Sequence, residues 1–209
     1  MTTPLPADAE TLFARLRDSL KDALGASCNG QAQEGPDALA GVDPTMPVGE
    51  SAAGSGAEAA QAGSAEAPAF IGIHTGGAWL AARLHAELGL SSPLGFLSSA
   101  FYRDDVQARG LSTRMQPTRI DFDVNGRDIV LVDDILHTGR TIRAALNEIF
   151  DYGRPARVRL AVLIDRGGRE LPVQPDHVGA RLVLQPGEKL ALSQRTNGMF
   201  ELRVESVQA

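Results

Sequence analysis

The chain has 209 residues, 43% of them apolar, which suffices for one α/β domain with a real core and some extra segments. Its formal charge of −6 comes from one stretch: six acids fall within residues 29–67, and the other 20 acids match the 20 bases, so net charge makes no case for a nucleic-acid partner. Cys28 is the only cysteine, which excludes an internal disulfide and suits a reducing, cytoplasmic setting; no basic-then-apolar leader and no run long enough to cross a membrane is present.

In chain order, residues 5–24 open with Pro4, Pro6 and Asp8 and then space Leu12, Leu16, Leu20 and Leu24 four apart, which predicts an amphipathic helix with a packing face. Residues 28–67 are rich in Gly, Ala, Ser, Pro, Gln and acids, without an apolar period. Such a segment buries too little surface to offset chain entropy and reads as a disordered insert, tolerated in a surface loop at small closure cost. Residues 69–74 read as the first core strand. Thr75, Gly76 and Gly77 break it, and a helix is expected over 78–88 with Gly89 as its stop. Strand, glycine-rich turn and helix form an arrangement in which backbone N–H groups can approach an anion closely. His74 and His85 have no metal-ligand spacing and read as packing or surface residues.

A second strand is expected over 94–102, a ribbon over 114–123, and a tight turn at Asn125-Gly126. Residues 129–132 form a short β-branched run, the pattern of a strand buried on both faces. Asp133 and Asp134 stand where that strand would end, followed by Thr138, Gly139, Arg140 and Thr141 at the start of a helical pattern in Ile142, Ala145, Leu146, Ile149 and Phe150. The C-terminal edge of an open α/β sheet is where ligands bind. A helix start with free N–H groups and Thr hydroxyls suits a phosphate, and neighbouring carboxylates accept hydrogen bonds from sugar hydroxyls. The ligand implied is a sugar phosphate. Beyond Gly153, a strand is expected over 158–164, an edge strand over 182–184, and a hairpin from 189–193 and 199–204 around Thr196-Asn197-Gly198.

Residues 129–141 resemble the phosphoribosyl-diphosphate signature of type I phosphoribosyltransferases. Phe-Tyr-Arg-Asp-Asp-Val at 101–106, Asp-Tyr-Gly-Arg-Pro at 151–155 and Val-Leu-Ile-Asp-Arg-Gly-Gly-Arg-Glu-Leu-Pro at 162–172 resemble the PyrR branch, the pyrimidine operon regulators with uracil phosphoribosyltransferase activity. The resemblance covers residues 69–185. It implies a mostly parallel five-stranded sheet flanked by helices, a small hood, and a flexible β-ribbon flap carrying Tyr102, Arg103, Asp104 and Asp105. It divides the chain into an N-terminal helix (1–27), the insert (28–67), the transferase core (68–185) and a C-terminal hairpin and tail (186–209).

The reaction implied is uracil plus 5-phosphoribosyl 1-diphosphate (PRPP) giving UMP and diphosphate. By resemblance, Asp133 and Asp134 take the ribose hydroxyls, and Thr138, Gly139, Arg140 and Thr141 the 5′-phosphate. Thr75, Gly76 and Gly77 take the diphosphate, and Arg103 donates to it when the flap closes. Ile135, His177 and Val178 flank the base, with Asp165 and Arg166 nearby. Mg²⁺ is the implied cofactor, bound mainly through substrate with Asp133 and Asp134 as candidate ligands, and a homodimer or higher homo-oligomer is implied. Leader RNA is an implied second partner. Two departures bear on these roles: Gly76 stands where the family commonly has Arg, and Gly168 where a His is common on a surface linked to RNA recognition. The latter, with the acidic insert, weighs against RNA and leaves uridine nucleotide chemistry as the main reading. Other open classes are an RNA-binding attenuator with little catalysis and a transferase for another base. Deleting residues 29–63 is expected to leave the melting temperature and uracil transfer almost unchanged; a large fall in melting temperature would show that the segment packs.

Overall fold

The structure is a computed structural model that describes residues 3–28, 67–98 and 116–206; the insert and the flap residues Tyr102, Arg103, Asp104 and Asp105 lie outside the described residues. Helix α1 (Ala9–Cys28) begins where Asp8 Oδ1 accepts the Thr11 N–H at 2.9 Å, an N-cap that satisfies a first-turn donor. Its Leu12, Phe13, Leu16 and Leu20 are buried, as their spacing requires. There follow β1 (Ala69–Ile73), α2 (Gly76–Glu87), β2 (Leu94–Leu97), β3 (Asp128–Leu136), α3 (Arg140–Tyr152), β4 (Arg157–Asp165) and β5 (His177–Arg181). These five strands form one sheet in the order β2-β1-β3-β4-β5, and every pair is parallel.

Side chains alternate between the two sheet faces. Phe70, Val130, Val132, Ala161 and Leu163 pack under α1 and α2, while Ile71, Ile73, Ile129, Leu131 and Val162 pack against Ile142, Ala145 and Ile149 of α3. Both faces are covered, which is why the strands read as continuous apolar runs. The chain leaves β1 toward β2 on one side and resumes at β3 on the other, so a topological switch point lies between the C-terminal ends of β1 and β3.

The remaining strands, β6 (Glu188–Gln194) and β7 (Phe200–Ser206), form an antiparallel hairpin whose turn needs Gly198 at φ 82°. This hairpin is the expected hood. Phe200 packs on Phe13 with ring centroids 5.5 Å apart, and Phe200 N–H donates to Glu10 Oε1 at 2.6 Å. The Arg83 guanidinium lies 4.4 Å from the Phe13 centroid and 5.1 Å from that of Phe200. It pairs with Glu10 and Glu87, each at 2.8 Å, and so joins α2, α1 and the hood. These carboxylates sit below their usual range, Glu10 chiefly through its hydrogen bond from Arg83.

Some boundaries differ from expectation for local reasons. Helix α2 starts at Gly76, so the glycines form its first turn rather than a loop before it. β3 runs on through the acids to Leu136 because β4 extends beside it, with Leu136 opposite Asp165. The edge strand is His177–Arg181, not 182–184; Val183 is 79% exposed. Phe150 is an exposed residue under the Arg154 guanidinium rather than a core residue. β5 tolerates the close passage of α1 because Gly179 has no side chain: a Cβ there would lie 2.6 Å from Leu163 O and 2.8 Å from Leu12 O, both backbone atoms. Gly179→Ala is therefore expected to lower unfolding free energy by about 1–3 kcal/mol, read as a lower denaturant midpoint. An unchanged midpoint would mean that α1 does not rest on β5.

Candidate active site

The first turn of α2 lies directly against the end of β3. A Cβ on Gly77 would sit 2.4 Å from Val132 O and 2.9 Å from Asp133 Cα, so only glycine permits this approach. Trp79 N–H bonds Thr75 O at 3.3 Å as the helix begins. The N–H groups of Gly76, Gly77 and Ala78 precede that bond and have no intrahelical acceptor, which leaves an electropositive helix end over the switch point. The His74–Thr75 peptide is cis. Burial pushes the His74 imidazole below its usual pKa, and its ring lies 5.6 Å from that of Phe96.

Adjacent residues on a strand face opposite ways, and the two acids divide accordingly. Asp134 points to the α2 side: a Cβ on Gly76 would lie 2.2 Å from its Oδ2, so this carboxylate fills the space that a side chain at position 76 would need. Glycine at this position, where the resemblance implies an arginine, leaves that space to the carboxylate. Asp133, only 7% exposed, faces the loop before α3, and its Oδ1 accepts the Asp134 N–H at 3.0 Å. Ile135 N–H donates to Asp134 Oδ1 at 2.9 Å.

That second loop carries Thr138, Gly139, Arg140 and Thr141. Gly139, at φ 90°, supplies the left-handed residue that turns the chain into α3. Arg140 Nε pairs with Glu170 at 2.7 Å on the surface. Two small clefts, about 320 and 280 Å³, share Asp133, Ile135 and Thr141. One is lined by the loop and Glu170, the other by Thr75, Gly76, Trp79, Asp134 and Leu192. A larger, more apolar groove of about 660 Å³ lies alongside between α2 and the hood, lined by Trp79, Arg83, Phe96 and Met199 among others, but it contains neither acid. Both acids line polar clefts only. Trp79 and Leu192 had escaped sequence reasoning. Trp79 stands three residues past Gly76, on the same side of the helix, a signal that could have found it; Leu192 arrives on the distant hood hairpin, with no local signal.

The other sequence candidates separate. Asp165 ends β4 at the same edge, 9% exposed; it accepts the Gly167 N–H and pairs with Arg169 at 2.7 Å. Arg166 follows it, with its N–H on Leu136 O. His177 and Val178 do not reach the site. They open β5 opposite Ala161 and Val162, level with Val132 and Asp133 but two strands away from them, and neither lines the two polar clefts. His177 is instead buried beneath α1, where Nδ1 lies 2.9 Å from Ser19 Oγ, and burial followed by Arg159 pushes its pKa down. The resemblance implied that His177 and Val178 flank the base, whereas parallel pairing makes them the start of a strand. Among the described residues no group of three or more His, Cys, Asp or Glu could hold a metal ion, and no helix is long and apolar enough to cross a membrane.

Comparison with known proteins agrees with this geometry. A family model described as the phosphoribosyl transferase domain matches residues 54–182. The bifunctional protein PyrR of Nitrosococcus oceani is 57% identical over 128 residues, 60% of this chain and 72% of that protein. Its namesake from Pseudomonas fluorescens is 48% identical over 151 residues, 72% of this chain and 89% of that protein. Among solved structures, the hypoxanthine phosphoribosyltransferase of Trypanosoma cruzi aligns with a TM-score of 0.53 at 17% identity, over 86% of this chain and 81% of that one. A hypoxanthine-guanine phosphoribosyltransferase from Bacillus anthracis gives 0.54 at 15% identity, over 91% and 85%. At those identities the structural likeness speaks for the fold. By the family model and the extent of its close relatives, the chain belongs to the phosphoribosyl transferase domain family and, within it, to the PyrR branch.

Proposed function

We propose that the chain transfers the 5-phosphoribosyl group of PRPP to uracil, releasing diphosphate and forming UMP. The observation that carries the reading is the meeting of two backbone anion sites, the α2 N-terminus and the loop of Thr138–Thr141, on either side of Asp133 and Asp134. One anion site alone would suit many ligands. Two, separated by acceptors for sugar hydroxyls, suit a sugar carrying phosphate at both ends.

In this reading the loop holds the 5′-phosphate, and Thr75, Gly76 and Gly77 hold the diphosphate. Asp133 and Asp134 accept from the ribose hydroxyls and stabilise the positive charge that develops at C1′ as its bond to the diphosphate oxygen breaks. Uracil N1 forms the new bond to C1′ and gives up its proton to water, while the diphosphate leaves with the bonding pair. Ile135 and Leu192 supply apolar walls for the base, with Trp79 at the diphosphate side. No covalent nucleophile is required; positioning and electrostatics carry the rate. The donor set fits Mg²⁺, which binds through one or two carboxylates together with substrate phosphates and water rather than in a full protein cage. Asp133 and Asp134 would hold it, and when bound it neutralises diphosphate charge.

The relatives are named bifunctional, and the resemblance to pyrimidine operon regulators implies the second activity, regulation through leader RNA. Of the basic residues that could build an RNA surface, Arg157 pairs with Asp128, and the Arg159 side chain is only 14% exposed. Arg169 is tied to Asp165 and to backbone carbonyls. Part of this basic charge is thus matched by Asp128 and Asp165, and catalysis, which the site geometry supports directly, ranks first. Titrating labelled pyrimidine-operon leader RNA at moderate salt is expected to show no nucleotide-strengthened, sequence-specific binding; tight binding enhanced by UMP and not shared by a scrambled leader would make regulation primary.

For the catalytic reading, Asp133→Asn with Asp134→Asn preserves shape and removes two charged acceptors, each worth about 1.5–3 kcal/mol. Diphosphate release across a panel of nucleobases is expected to be greatest with uracil and to fall by roughly 100-fold or more in this variant, with the melting temperature retained. Near-normal turnover in the double variant would contradict the sugar-phosphate assignment, and preference for a purine or orotate would contradict the base.

A further inference from the structure

Three successive carbonyls in the turn from β3 to α3 are held by the next loop, residues 166–173. Leu136 O accepts the Arg166 N–H at 3.0 Å, His137 O accepts from Arg169 Nη1 at 2.9 Å, and Thr138 O accepts the N–H groups of Glu170 and Leu171 at 3.0 and 3.1 Å. In a trans peptide the C=O and the following N–H point in opposite directions. Fixing these carbonyls toward one loop therefore turns the N–H groups of His137, Thr138 and Gly139 the other way, toward the cleft lined by Asp133, Thr138 and Thr141. Successive N–H groups converging from one side make an anion-binding nest. Ordinary strand geometry would instead alternate them.

We infer that Arg169 is a positioning residue that holds the nest open for the 5′-phosphate, an inference that rests on the phosphoribosyl transfer proposed above. It is the one side chain among these carbonyl donors, so it is the one a substitution can remove. Its guanidinium is fixed on three sides: Nη1 on His137 O, Nε on Val173 O at 2.9 Å, and Nη2 on Asp165 Oδ1 at 2.7 Å. Asp165 is thus the anchor of this clamp, which gives that buried carboxylate a task apart from the base. Donation to His137 O also polarises the His137–Thr138 peptide and makes Thr138 N–H a better donor.

Arg169→Lys separates positioning from bulk stability. Lysine keeps the positive charge beside Asp165 but lacks the planar fork that reaches the His137 and Val173 carbonyls together. Calorimetric titration of the full chain with ribose 5-phosphate, which carries the 5′-phosphate alone, is expected to show about tenfold weaker binding in Arg169→Lys than in the parent chain. Binding of inorganic diphosphate, which belongs to the α2 end, should be unchanged, and the KM for PRPP should rise with kcat largely kept. Equal affinity of the two proteins for ribose 5-phosphate overturns the inference, as does an equal loss for both ligands, which would mark a general structural defect. If Arg169→Lys does not fold, Arg169→Gln is titrated in its place, with the same two outcomes deciding. Failure of the parent chain itself to bind ribose 5-phosphate would remove the sugar-phosphate reading on which the inference stands.

Discussion

The close contact between the first turn of α2 and the last residues of β3 is the constraint on which the site depends. Gly77 permits it by exposing bare backbone to Val132 O, and Gly76 permits it by leaving room for the Asp134 carboxylate. A side chain at position 77 would meet the β3 backbone and open a gap between the helix end and the acid pair, whereas one at position 76 would displace the Asp134 carboxylate. Without that contact, the N–H groups of α2 and the acids of β3 would belong to separate surfaces. With it, a carboxylate and an electropositive helix end share one wall of a cleft, and each is held by the other's geometry. Sheet topology puts the contact at the switch point between β1 and β3, where no crossover covers the strand ends.

The other half of the site is built by layering. The turn after β3 is short and carries a left-handed glycine, so its own backbone offers few internal hydrogen bonds. The loop after β4 supplies them from outside, through backbone donors and the Arg169 fork. Rigid support from a second layer keeps donors pointed at the ligand and reduces the reorganisation needed when charge arrives. The hood contributes differently. It is anchored through Arg83, which is flanked by Phe13 and Phe200 and paired with Glu10 and Glu87, and it brings Leu192 to the cleft. The C-terminal hairpin, anchored on α1, therefore helps to roof a site made by the middle of the chain.

Much of this was legible in the sequence because the relevant signals are local. An apolar run, two acids and Thr-Gly-Arg-Thr at a helix start lie within residues 129–141, and their neighbours in sequence are their neighbours in space. The leucine period of α1 and the hood turn at Asn197-Gly198 were readable for the same reason. What escaped depended on register and long-range packing. The resemblance implied a base contact for His177, yet pairing with Ala161 places it at the start of β5 and beneath α1. The separation of Asp133 and Asp134 to opposite sides follows only once β3 is known to continue through them. Leu192 and the carbonyl clamp join segments more than thirty residues apart, beyond any local pattern.

The central claim is that two separate anion sites serve the two ends of one sugar phosphate. Calorimetric competition tests it most directly. PRPP binding to the full chain would be measured alone, then with saturating ribose 5-phosphate, and then with saturating diphosphate; the two fragments would also be titrated against each other. The expected result is that each fragment blocks PRPP while neither excludes the other. A pair of fragments that compete for one place, or a PRPP affinity indifferent to either of them, would contradict the account.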